Sequence, residues 1–362
     1  MYHVGEPMVL EEVPRPIATG SDVVVRVEAC NIVPNLANIL ANWSTWFPQN
    51  PLPELPAIFG LDPAGVVVET GPDAHEFKAG DRVYVNPGRY CGGCAACRRG
   101  EHIDCESYAF AGYFGFTANA PRMLNRYPYG GLAEYMLAPE YSLVRLPESV
   151  SFEHGARFGY LGTGYSALRK AGVNTGSTVL INGISGTLGL GVALLALAMG
   201  APRILGTGRN HELLGRVKAL APARIETHSM LDGPIDTWVK SITDRGVDTY
   251  IDALGPGAPH EGLIQGMASL RRGGRAVNIG AAQGMVPFDV HHMMDQQLSF
   301  RGSVWFTAGE GQEMAELADR GLLDLSVFKN VVFPLEKTNE AITGLGSRHG
   351  GFSNFIISPT AR

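Results

Sequence analysis

Residues 178–199 read TVLINGISGTLGLGVALLALAM. The β-branched and apolar start, ending at Asn182, reads as a strand, and the apolar run from Leu190 to Met199 reads as a helix. Between them lie Gly183, Gly186 and Gly189. A strand, a glycine loop and a helix N-terminus in that order leave bare backbone amides where a dinucleotide pyrophosphate needs them. A glycine triplet by itself also serves close helix packing, so the flanking strand and helix carry the reading. Further out, PRILGTG (202–208), DTYIDAL (248–254) and GRAVNIG (274–280) read as strands with helical patterns between them. That alternation predicts βαβ units around a parallel sheet. Upstream, SFEHGARFGYLGTGYSALRKAG (151–172) reads as helical, and the first 150 residues as short strands and turns, as in SDVVVRVEAC (21–30). After about Leu298 strand-like segments return in LSFRGSVWF (298–306), KNVVFPL (329–335) and NFIISP (354–359).

A length of 362 residues suggests two domains or three, and a 45% hydrophobic content supplies a sizeable core. The net charge of −6 is dispersed, which argues against nucleic acid or an anionic membrane as partner. The start, MYHVGEPMVLEEV, has neither a basic segment nor an apolar one, so no signal peptide is expected. The apolar stretch from Leu188 to Met199 is too short to span a bilayer. A soluble, cytoplasmic protein with reduced thiols is the expectation.

Four of the five cysteines crowd into CGGCAACRRGEHIDC (91–105). Cys91, Cys94, Cys97 and Cys105 in a C-x2-C-x2-C-x7-C array can close a tetrahedral shell around zinc. With four thiolates bound, no coordination site remains for water or substrate, so such a zinc is structural. Free thiols or an iron–sulfur site are the alternatives.

At the tip of the second strand after the glycine loop, an NAD-preferring protein places an acid for the ribose hydroxyls. Here Gly208-Arg209-Asn210 stands instead. A guanidinium without a carboxylate favours a 2′-phosphate, hence NADP(H) over NAD(H), unless Arg209 is merely a solvated loop charge.

The cysteine lobe, GVVVETG (65–71), FKAGDRV (77–83), YPYGGLAEY (127–135), TGYSAL (163–168) and the glycine loop occur in a characteristic order. The chain resembles a medium-chain dehydrogenase/reductase of the zinc alcohol dehydrogenase type along nearly its whole length. The resemblance implies an α/β protein in which a GroES-like, β-rich catalytic domain is interrupted by a Rossmann, doubly wound parallel-sheet domain. The expected divisions are 1–155 for the catalytic domain with its zinc lobe, 156–296 for the NADP(H)-binding domain, and 297–362 for the return. The active site would lie between the two. Cofactor contacts are expected from Gly183, Ser185, Gly186, Thr187, Leu188 and Gly189, from Gly208, Arg209 and Asn210, and from Thr163 and Ile279. The returning strand Leu298–Phe306 sits where relatives pair sheets, so a homodimer is expected.

The family's catalytic zinc ligands are missing. The positions that carry them correspond here to Val33, Leu61 and Gly159, none of which coordinates a metal. Cys30 aligns with a non-ligand cysteine and reads as a small buried hydrophobe. Asn35 falls where the family often has a hydroxyl relay, and Asp62 and Tyr160 border the former metal position. These three are the catalytic candidates. Trp43, Trp46, Tyr113 and Trp305 are candidate substrate contacts; if they line the cleft the substrate is bulky and apolar, and if they are core they say nothing about it. Zinc assists alcohol oxidation as a Lewis acid. Without it, a conjugated C=C bond is the easier target, because hydrogen-bond donors suffice to stabilise the enolate. The expected function is NADPH-dependent reduction of an enone or alkenal. A zinc-independent alcohol dehydrogenase or carbonyl reductase, and a non-catalytic cofactor-binding protein, are the alternatives.

Overall fold

The computed structural model describes residues 1–34, 36–282, 284–347 and 350–360. Its strands are β1 (Asp22–Asn31), β2 (Asp62–Thr70), β3 (Arg82–Val85), β4 (Gly88–Arg89), β5 (Ala109–Phe110), β6 (Tyr135–Pro139), β7 (Leu143–Arg145), β8 (Thr178–Asn182), β9 (Arg203–Gly208), β10 (Ile225–Ser229), β11 (Val247–Asp252), β12 (Leu270–Asn278), β13 (Ser299–Gly302), β14 (Lys329–Pro334) and β15 (Ser353–Ser358).

A seven-stranded sheet runs β14-β15-β1-β2-β3-β7, with β6 paired to β1, and so joins the two ends of the chain. In its antiparallel register Asn31 lies opposite Asp62, and Ala64 opposite Tyr84. Residues two apart share a face, so Tyr84 reaches diagonally to Asp62. The short pair β4 and β5 brackets the cysteine lobe, whose helix Ala95–Arg98 and turn His102–Asp104 hold the thiols in place.

The second sheet is parallel, in the order β10-β9-β8-β11-β12-β13. Strand order reverses at β8, which opens a crevice outside the carboxyl ends of β8 and β11. The helix Thr187–Ala198 follows β8. It is apolar all round, as befits an element covered on every side. Leu190, Val192 and Leu195 are fully buried, each contributing roughly 1.5–3 kcal/mol.

The structure differs from the sequence reading in several elements. The first 150 residues, read as strands and turns, also hold the helices Leu36–Ala41, Trp43–Trp46, Ala95–Arg98 and Pro121–Arg126. The polar-rich run IETHS forms β10, an edge strand paired in parallel with β9, where a fully apolar pattern is not required. The strand expected to open the returning segment 297–362 is β13, which pairs in parallel with β12 and places Phe300 opposite Ala276. It therefore forms one edge of the six-stranded sheet, and the chain rejoins the other sheet only at β14. No helix among the described residues is long and apolar enough to cross a membrane.

Candidate active site

The glycine loop sits at the carboxyl end of β8, at the strand-order reversal. Gly183 has φ +82°, a left-handed conformation that favours glycine. A Cβ on Gly189 would collide with the carbonyl oxygen of Gly183, so the helix can press against the loop only with glycine there. Gly186 is the N-cap and puts no side chain over the first-turn amides. Thr187 Oγ1, in that first turn, is buried with no hydrogen-bond partner among the described residues. Beneath the loop, Asn182 Nδ2 donates to Asp252 Oδ1 at 3.0 Å, and Tyr250 OH donates to the same oxygen at 2.8 Å. Thr207 Oγ1 donates to Asn182 Oδ1 at 2.8 Å, tying β8, β9 and β11 into one platform. Burial raises Asp252 above its ordinary range against the pull of these donors. The bare amides, the orphaned hydroxyl and the rigid base fit a nicotinamide dinucleotide.

Among the other cofactor candidates, a Cβ on Gly208 would stand 3.1 Å from Ser185 Oγ, so the tip of β9 adjoins the loop. Arg209 is exposed just beyond that tip. Asn210 Oδ1 accepts from Leu213 N at 3.0 Å and caps the helix His211–Leu220, an N-cap role for that side chain. Leu188 is half-buried. Ile279 is buried, with its amide on the Asp252 carbonyl at 2.9 Å. Thr163 Oγ1 donates to Gly159 O at 2.9 Å within its own helix, Phe158–Ala171.

The thiols of Cys91, Cys94, Cys97 and Cys105 all lie within 4.8 Å of one another. Backbone amides point at sulfur, from Cys91 and Ser107 to Cys105 Sγ and from Cys94 to Cys91 Sγ, each at 3.3 Å. The Cys97 and Glu106 amides draw the Cys94 thiol down to about 6. Four converging sulfurs with N–H donors behind them suit a tetrahedral zinc.

Asp62 is fully buried. Its Oδ1 accepts from Tyr84 OH at 2.9 Å, and its Oδ2 has no partner among the described residues. The carboxylate lies directly over Gly159, where a Cβ would overlap both oxygens. Burial pushes Asp62 up to about 7, against the Tyr84 hydrogen bond, the Arg157 charge and the Asn31 amide. Val33 and Leu61 are buried and line one small cavity with Asn31, Leu36, Tyr113 and Leu132. Two aliphatic side chains, a glycine and one carboxyl group already bonded to a tyrosine are not a donor set for catalytic zinc. Among the described residues, the four cysteines are the only group of three or more His, Cys, Asp or Glu able to converge on a metal.

Of the catalytic candidates, Asp62 lies over Gly159, and Tyr160, the residue after that glycine, has its ring beside the Arg157 guanidinium at 5.3 Å, whereas Asn35 lies outside the described residues. Tyr113 OH is buried without a partner among the described residues. Burial first, then Tyr160 and Asp62, push that hydroxyl well above its ordinary value. The four aromatic candidates form one connected wall. Trp43 and Tyr113 both pack on Phe114, at 4.7 and 4.6 Å between ring centroids, and Trp305 packs on Phe110 at 4.5 Å. Trp46 joins through Phe47. Trp43, Tyr113 and Trp305 are buried, and Trp305 Nε1 donates to Asn86 Oδ1 at 3.0 Å. The sequence reading missed Asn31, Tyr84 and Arg157 around Asp62. A lone arginine inside the apolar run GARFGYLG was the available signal for one of them.

Comparison with known proteins agrees with this geometry. Residues 19–148 match the alcohol dehydrogenase GroES-like domain, and residues 187–320 match the zinc-binding dehydrogenase family. The sorbitol dehydrogenase of Bacillus subtilis (strain 168) is 28% identical over 344 residues, covering 94% of this chain and 91% of that protein. The uncharacterized zinc-type alcohol dehydrogenase-like protein YphC of Escherichia coli (strain K12) is 33% identical over 253 residues, 69% of this chain and 67% of that protein. Among solved structures, AibC superimposes with a TM-score of 0.81 at 27% identity, over 97% of this chain and 91% of that one. An NAD-dependent alcohol dehydrogenase gives a TM-score of 0.79 at 26% identity, over 96% and 94%. With both family matches in chain order and the cysteine cluster assembled, the chain belongs to the medium-chain dehydrogenase/reductase superfamily and is an oxidoreductase of its zinc-type alcohol dehydrogenase branch.

Proposed function

We propose that this oxidoreductase works without a catalytic zinc and reduces a conjugated C=C bond, of an enone or alkenal, with NADPH preferred over NADH. The observation that carries the reading is the Asp62 carboxyl group lying over Gly159, bonded to Tyr84, with Val33 and Leu61 at the other expected ligand positions. The nicotinamide cofactor, when bound, supplies the hydride. The chain's own residues then handle the oxygen and the proton. The Tyr113 hydroxyl, kept neutral by burial, is the donor we assign to the substrate oxygen on which enolate charge develops. Asp62, raised to about 7, holds a proton over part of the physiological range and is the reservoir from which the enolate's α-carbon is protonated after hydride has added at the β-carbon. Trp43, Tyr113 and Trp305 lie in the core, so the aromatic cluster says nothing about the size of the substrate. Exposed Arg209 is the group we assign to a 2′-phosphate. A reducing compartment such as the cytoplasm suits the four thiolates.

The test is cofactor oxidation on a panel of enones and alkenals beside ketones and polyols, run with NADPH and with NADH. Turnover of enones faster with NADPH is expected. Turnover confined to ketones or polyols would instead support the second reading, a zinc-independent alcohol dehydrogenase or carbonyl reductase. That reading is favoured by the relatives named as sorbitol dehydrogenase and as D-xylulose reductase.

A further inference from the structure

Between helix Phe158–Ala171 and the glycine loop lies a guanidinium that is almost wholly removed from water: Arg157 is 1% exposed. Burying a charge is costly unless it is paired or well hydrogen-bonded, so what a buried guanidinium bonds to matters. Arg157 Nη2 donates to Thr187 O at 3.2 Å and to Gly351 O at 3.3 Å. Thr187 is the first residue of the helix whose N-terminus forms the phosphate cradle. Gly351 belongs to a short turn, Gly350–Phe352, that leads into β15 of the other sheet. One side chain thus bonds a loop from each half of the molecule.

The two loops also touch directly. Gly351 N donates to Ser185 O at 2.9 Å. A Cβ on Gly351 would overlap Gly186 O, and one on Gly350 would stand 2.8 Å from Ser185 O. Phe352 is buried beneath the Arg216 guanidinium at 4.1 Å, which holds the far end of the turn on the helix His211–Leu220. Arg157 itself is braced by the Tyr160 and Phe328 rings at 5.3 and 4.9 Å. At this junction Thr187 Oγ1 is buried and lacks a partner among the described residues, an orphan that a bound phosphate would satisfy.

We propose that Arg157 is a positioning residue that fastens the glycine loop to Gly351, so that the cofactor's pyrophosphate meets a cradle assembled from both halves of the molecule. Its positive charge behind the helix N-terminus adds to the field that favours an anion there. The proposal rests on the glycine loop being a dinucleotide site and deepens that reading.

The experiment titrates the full chain with NADPH, with ADP-ribose, and with 2′-AMP, which carries the adenosine end but no pyrophosphate. Wild type is compared with Arg157→Met, Arg157→Lys and Gly351→Ala, each checked for native circular dichroism. Arg157→Met and Gly351→Ala are expected to weaken NADPH and ADP-ribose by about tenfold, as for loss of a charged hydrogen bond, and to leave 2′-AMP unchanged. Arg157→Lys keeps the charge and recovers part of the loss. Wild-type affinity for NADPH in both Arg157→Met and Gly351→Ala would overturn the proposal. So would an equal loss of 2′-AMP, which marks general damage to the binding unit. If Arg157→Met does not fold, Gly351→Ala and Arg157→Lys decide by the same criteria. A wild-type chain that binds none of the three ligands would overturn the dinucleotide reading itself, and a chain that binds them with insensitive variants overturns only the role of Arg157.

Discussion

Asp62 is the proton source in the proposed reaction, and its titration links stability to pH. The ordinary value is 3.8, and burial raises it to about 7 in the folded chain. A carboxyl group with a raised folded value holds its proton more tightly when folded. Its stabilising contribution is full below about pH 4 and is lost as pH rises towards and through 7. An Asp62→Asn chain has no such dependence and keeps an oxygen for Tyr84. The stability of wild type relative to Asp62→Asn should therefore fall between about pH 4.5 and about pH 8, by up to ~4 kcal/mol. Urea midpoints of both proteins at the two ends of that range measure it, and parallel curves would show that Asp62 ionises freely. How far such a residue is legible in sequence depends on distance along the chain. Val33, Leu61 and Gly159 could be read from motif positions, because each sits at a fixed offset from a recognisable segment. Tyr84 lies 22 residues from Asp62, and Arg157 lies 194 from Gly351. No local spacing links either pair, so only the folded chain reveals them.

Among the elements, the strand–loop–helix around Gly183 and the cysteine lobe were legible because backbone chemistry dictates them. A turn at φ +82°, a helix pressed on a loop and four thiolates at short spacings each demand particular residues at particular offsets. Strand β10 was not, since an edge strand tolerates Glu226, Thr227 and His228 and loses the apolar signature. The lobe makes its own prediction. Its short elements, the helix Ala95–Arg98, the turn His102–Asp104 and the two-residue strands β4 and β5, are too small to be stable alone, so the metal should supply their order. Metal analysis should find about one zinc per chain. Chelation or Cys94→Ser should release it and expose residues 91–105 to proteolysis, while NADPH still binds at the glycine loop on the other sheet. Two zincs per chain would mean that a second donor set exists and would remove the zinc-free reading of Asp62.

At the scale of the whole molecule, the sheet edge at β13 has exposed apolar neighbours. Strand β13 pairs with β12 on one side only, and it is the last strand of the parallel sheet. Beside it in the chain, helix Val290–Asp295 buries none of its residues and exposes Val290 and Met294, and Val304 is 42% exposed. An unpaired strand edge flanked by apolar side chains is a template for another strand. The same surface on a second copy would satisfy it by two-fold symmetry, with backbone donors and acceptors paired across the axis. Residues 298–306 carried that expectation in the sequence as an apolar and aromatic run, but not which sheet the run would join. Its place at the edge of the six-stranded sheet gives the homodimer proposal a definite surface. Sedimentation equilibrium should give close to twice the chain mass of 38.7 kDa. Val304 lies just beyond the end of β13, where a carboxylate would be brought close to the partner copy and desolvated, so Val304→Asp should shift the protein to monomer without changing its circular dichroism. Wild type that sediments as a monomer at micromolar concentration would mean that the edge is covered another way. A Val304→Asp protein that remains dimeric would mean that the copies meet on a different face.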